Sequence, residues 1–92
     1  VSGFAKGDRV VVLASFDGLS PSITGPGIVD FVGKSLHTWA VLMVPELLPE
    51  AVRGRQVGQV VHETRLQRVW PGMTLEYPDL GLKWTEDGVE DL

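Results

Sequence analysis

Thr38-Trp39-Ala40-Val41-Leu42-Met43-Val44 is an uncharged run with the β-branched and aromatic content of a strand. Side chains alternate across a strand, so Trp39, Val41 and Met43 share one face and Ala40, Leu42 and Val44 the other. Both sets are apolar. One fills a core, and the other needs a cover or a partner.

Upstream, Lys34 to His37 has the length of a hairpin loop, which pairs this strand antiparallel with Gly27 to Gly33. Ser15 to Pro26 is rich in Gly, Ser, Pro, Asp and Thr and reads as a long loop. Before it, the turn Gly7-Asp8 leads into Arg9 to Ala14, where Val10 to Leu13 are apolar without alternation. That pattern predicts a strand covered on both faces.

Downstream, Pro45 and Pro49 stop the central strand, and Pro45 to Arg55 reads as a loop or a single helical turn around Glu46 to Val52. Gln56 to His62 resumes the strand pattern, Glu63 to Leu66 reads as a short helical turn, and Gln67 to Trp70 as a brief last strand before Pro71-Gly72. The prediction is an all-β domain over residues 1–72, a small five-stranded SH3-like barrel. Residues 73–92 form a C-terminal extension. Its Leu75, Tyr77, Leu80, Leu82 and Trp84 give it the means to bury itself, and Leu75, Tyr77 and Trp84 are predicted to dock on the barrel's outer face or on a neighbouring chain, with only Thr85 to Leu92 free in solvent.

A chain of 92 residues buries about 60–65% of its unfolded surface, so association is a natural supplement to its core. It has no cysteine, which removes disulfides, thiolate metal sites and a cysteine nucleophile and suits a reducing cytoplasm. His37 and His62 are far apart in sequence and no carboxylates have ligand spacing, so no metal or cofactor is expected. No apolar run approaches the ~18–20 residues of a membrane helix, and the first residues lack the pattern of a secretory leader. A soluble, cytoplasmic protein is expected.

The net charge of −4 is unevenly placed: residues 1–72 hold seven Lys/Arg against six Asp/Glu, and residues 73–92 hold one against six. The near-neutral barrel disfavours nucleic acid, although Lys34, His37, Arg53, Arg55, Arg65 and Arg68 are candidate contacts if they gather on one rim. Arg53-Gly54-Arg55 is the densest positive site and supplies the candidate anion contacts, Arg53 and Arg55.

Gly7-Asp8-Arg9-Val10, the Ile28-Val29 strand, Trp39-Ala40-Val41, Gln59-Val60-Val61-His62 and Arg65-Leu66-Gln67-Arg68-Val69 resemble, in order and spacing, the SH3-like barrels of plasmid- and integron-borne type II dihydrofolate reductases. The likeness runs from Lys6 to Val69. A Gly-Asp-Arg-Val opening is also found in the nitrile hydratase β-subunit barrel and in KOW-type modules. The resemblance implies barrel topology, self-association and an origin on mobile DNA. In that family a Val-Gln-Ile-Tyr stretch lines a tetrameric pore, assisted by a lysine after the opening motif. Here Gln59 matches the glutamine and Val60 the isoleucine, but Gly58 and Val61 stand at the valine and tyrosine positions, and Val12-Leu13 at the lysine. Folate reduction is therefore disfavoured.

No phosphate loop, nucleophile triad or zinc helix is present, and His62-Glu63 reads as a strand-end pair rather than an acid and base. The expected function is a non-catalytic protein-interaction or assembly module whose partner is a second copy of itself. Its expected contact residues are Val11, Leu13, Ala40 and Leu42 on the strands and Leu75, Tyr77 and Trp84 on the extension.

Overall fold

A computed structural model describes residues 3–14, 23–32 and 37–92 of the chain. Its strands are β1 (Arg9–Val12), β2 (Gly25–Val32), β3 (Thr38–Met43), β4 (Gly58–His62), β5 (Leu66–Arg68), β6 (Leu75–Tyr77), β7 (Leu82–Thr85) and β8 (Gly88–Asp91). They form two antiparallel sheets, one of five strands in the order β4-β3-β2-β1-β5 and one of three in the order β6-β7-β8. The chain is all-β.

Alternation explains the first core. Val10 and Val12 of β1, Val29 of β2, Val41 and Met43 of β3 and Val61 of β4 all point to one side, where Leu48 and Leu66 join them. Trp39 packs against this cluster and meets Phe4 edge-on at 5.7 Å between ring centroids. Gln59 also turns inward, its amide donating to the Ile23 carbonyl at 2.6 Å.

A second core lies between the sheets, built from Val44, Leu47, Val69 and Trp84, with Val11, Leu75, Tyr77, Leu80, Leu82 and Val89 around it. This accounts for the unbroken apolar run in β1. Val10 and Val12 serve the first core and Val11 the second. Arg9 fastens the two layers: its guanidinium donates to the Trp70, Met73 and Trp84 carbonyls and lies 5.1 Å from the Trp84 ring centroid. Asp8 accepts from Arg68 Nη1 at 2.9 Å, and the Arg68 guanidinium lies 4.6 Å from the Phe4 and 5.3 Å from the Trp70 ring centroid. Asp8 and Arg9 of the opening motif are thus tied to β5 and to the extension.

Several boundaries differ from the sequence reading. β2 starts at Gly25, inside the expected loop, because Gly25 and Pro26 pair with Val12 and Val11. Pro26 supplies no donor, but its carbonyl accepts from Val44 N at 3.1 Å. Pro45 to Arg55 holds two 3-10 turns, Pro45–Leu47 and Glu50–Val52, and the first buries Leu47. The acidic end is not free: Gly88, at φ 120°, allows the turn that returns the chain as β8, placing Val89 opposite Trp84. Most of the Ser15–Pro26 loop, residues 15–22, and Lys34 lie outside the described residues.

Candidate interaction face

The ladders of β2, β3 and β4 fix which residues share the sheet's outer face. Ile28 lies opposite Leu42, and Leu42 opposite Gly58; Phe31 lies opposite Ala40, and Ala40 opposite Val60. Directly opposed residues point to the same side of a sheet. These six residues therefore form two cross-strand rows on the side away from the first core.

Phe31 reaches this face through an irregularity. Strict alternation along Ile28-Val29-Asp30-Phe31 places Phe31 inward with Val29, but the β2–β3 register shifts between Val29 and Phe31. Asp30 is the extra residue of a bulge, and a bulge of one residue reverses the facing of everything beyond it. Phe31 consequently stands 58% exposed, Val60 61% and Leu42 41%. Large apolar groups scattered singly over a surface are ordinary, whereas four on adjoining strands make a patch.

The patch has relief. Ala40 and Gly58, the two small residues, floor a hollow of about 190 Å³ edged by Phe31, Leu42 and Val60. At its Ile28–Leu42 end the face adjoins a groove of about 250 Å³ that runs to Trp84 and Val89 between the sheets. Among the described residues, Asp30 is the one charged residue at the hollow.

The strand at the edge beside it, β4, carries no Asp, Glu, Lys or Arg. The bonds from Met43 N to the Val57 carbonyl and from Glu63 N to the His37 carbonyl set the phase of the β3–β4 ladder. Val57, Gln59, Val61 and Glu63 are then the residues bonded inward, and Gly58, Val60 and His62 present their main-chain groups to the open edge. The other outer strands of the two sheets, β5, β6 and β8, carry Arg68, Glu76, and Glu90 with Asp91. Charges of that kind discourage edge pairing, and β4 lacks them.

The expected contact residues are distributed unequally. Leu42 lies on the exposed face, and Leu13 is exposed at the end of β1, its N–H donating to the Arg65 carbonyl. Ala40 is 8% exposed, because Phe31 and Val60 flank it on the neighbouring strands. Trp84 is 2% exposed, and Val11, Leu75 and Tyr77 pack beside it, so these four are taken up inside the chain. Phe31, Val60 and Ile28 were not expected as contacts. The one hint in the sequence is Asp30, a charge inside a strand pattern.

Arg53 and Arg55 part company. Arg53 donates from Nε to the Leu48 carbonyl at 3.1 Å and lines a cleft of about 550 Å³ with Pro26, Tyr77, Leu80, Glu76 and Asp79, whereas Arg55 is exposed elsewhere. Burial beside this cleft pushes the Tyr77 phenol above its ordinary value of 10.0. The two histidines, distant in sequence, meet at the ends of β3 and β4 with ring centroids 6.2 Å apart. His37, at φ 60°, places Nδ1 3.2 Å from Glu63 Oε1, while His62 Nδ1 accepts from Thr64 N. Among the described residues no group of three or more His, Asp or Glu side chains is placed to hold a metal ion. None of the helices among them is long and apolar enough to cross a membrane. Comparison with protein-family models, curated proteins and solved structures finds no match to this chain.

Proposed function

We propose that the chain is an SH3-like, non-catalytic protein-interaction module that works through the outer face of β2, β3 and β4. The observation that carries this reading is the patch of Ile28, Phe31, Leu42 and Val60, left exposed while the extension covers the opposite end of the same sheet. The SH3-like assignment draws on the strand order β4-β3-β2-β1-β5, the pairing of the first strand with the fifth, and the 3-10 turn at Glu63–Arg65 between the fourth and fifth strands.

The chain's cations favour a protein partner over a nucleic acid. Phosphate binding draws on several free, well-placed Lys and Arg side chains. Here Arg9 and Arg68 are engaged with carbonyls, Asp8 and aromatic rings, and Arg65 Nε donates to the Leu13 carbonyl at 3.3 Å. A folate-type reductase is disfavoured further by Gln59, whose amide is occupied by the Ile23 carbonyl.

The test is an apolar fluorescent dye added to dilute protein. The reading predicts that wild type binds it and that a Phe31→Ser, Val60→Ser double variant does not, with thermal unfolding preserved. Equal dye binding by both proteins would place the apolar contact surface elsewhere.

A further inference from the structure

The size of the hollow above Ala40 and Gly58 limits its occupant. Small-molecule sites occupy roughly 300–1,000 Å³, and this one measures about 190 Å³. It is too small for a ligand of ordinary size and suited to one inserted side chain. Aromatic anchors set in such depressions carry much of the energy of protein interfaces.

The same face carries the complementary feature. Phe31 is the most prominent ring on it, standing next to the hollow on the neighbouring strand. A surface that bears both a protruding side chain and an adjoining depression is complementary to itself about a two-fold axis between them, which is the condition for an isologous contact. Charge is sparse here: among the described residues Asp30 is the single acid at the hollow, and the six acidic residues of the extension lie after Met73. Two copies meeting here bring their apolar rows together and oppose one like-charged pair, Asp30 with Asp30.

We infer that the partner of this face is a second copy of the chain, with Phe31 of each copy seated in the hollow over Ala40 and Gly58 of the other. The inference rests on the proposed role of β2, β3 and β4 as the interaction face. The seated ring is desolvated on both sides, Leu42 and Val60 close around it, and Ile28 extends the contact toward the groove between the sheets.

Two substitutions separate this dimer from a loss of folding. Phe31→Ala removes the exposed ring and leaves both cores intact. Gly58→Val fills the hollow. A Cβ at Gly58 meets the Val41 carbonyl oxygen at 3.8 Å and Leu42 Cδ1 at 3.9 Å, ordinary contacts, so the backbone accepts a Cβ at this position. Valine also suits a strand better than glycine, so the monomer gains stability as the dimer is lost.

Sedimentation velocity over a range of concentrations, with thermal unfolding of the same samples, decides the matter. The expected result is a concentration-dependent wild-type dimer, with association weakened about tenfold or more by either substitution and Gly58→Val unfolding no earlier than wild type. A wild type that stays monomeric while binding the dye would overturn self-association and leave the interaction face standing. A dimer that survives both substitutions, as pairing along the β4 edge would, overturns the seating of Phe31. A monomer without dye binding removes the interaction face as well.

Discussion

Phe31 and Ala40 face each other across the β2–β3 ladder, the ring 58% exposed and the alanine 8%, and the bulge at Asp30 is what puts them on the same side of the sheet. Every part of the proposed contact follows from that relationship. Without the extra residue, Phe31 would turn inward with Val29 and the hollow would lose the ring beside it.

The second core depends on Trp84. It is 2% exposed, packs with Val44, Leu47 and Val69, and carries the Arg9 guanidinium against its ring. Trp84→Ala is expected to lower stability by about 3–5 kcal/mol, a large share of what a small domain possesses. Urea unfolding followed by circular dichroism measures it, and a midpoint close to wild type would mean that the extension does not hold the sheets together.

Gly27 and Gly58 predict opposite responses to the same change. A Cβ at Gly27 falls 2.5 Å from Val41 Cγ1 and 3.1 Å from the Leu42 carbonyl oxygen, one of them main chain that cannot move aside. Gly27→Ala is expected to cost about 1–3 kcal/mol or more, and Gly58→Ala to be neutral or mildly stabilising. The difference in urea midpoint between the two variants is the readout, and equal midpoints would contradict the close approach of β2 to β3.

Tyr77 is the chain's one tyrosine, so phenolate absorbance reports it alone. Burial favours the neutral phenol in the folded protein and raises its titration above 10.0. The unfolded chain releases this proton first as pH rises. The stability that burial of the neutral phenol confers is therefore complete below pH 10.0 and is lost as pH climbs through the folded-state value. Tyr77→Phe should remove that component of alkaline destabilisation, and a wild-type absorbance midpoint at or below 10.0 would show the phenol to be solvated.

Much of the strand layout was legible in the sequence because it rests on local chemistry. Trp39, Val41 and Met43 alternate inward as their spacing requires, and the unalternating Val10 to Leu13 run correctly implied a cover on both sides of β1. The end of the extension was misread because composition dominated it. Glu86, Asp87, Glu90 and Asp91 suggest solvent, but charges on the exposed side of a hairpin do not prevent β8 from pairing with β7. The contact residues were divided for a similar reason. Ala40 and Leu42 share a face, yet only their neighbours across the ladder decide that one is shielded and the other open, and Phe31 was hidden by a bulge that periodicity alone does not announce.

The most direct measurement is an isotope-filtered nuclear Overhauser experiment on an equal mixture of labelled and unlabelled full-length protein, which records contacts between copies and suppresses those within one. The account predicts intermolecular cross-peaks from the Phe31 ring protons to the Ala40 methyl and Gly58 α protons. A dimer whose intermolecular cross-peaks fall on other residues, with none from Phe31, would contradict it.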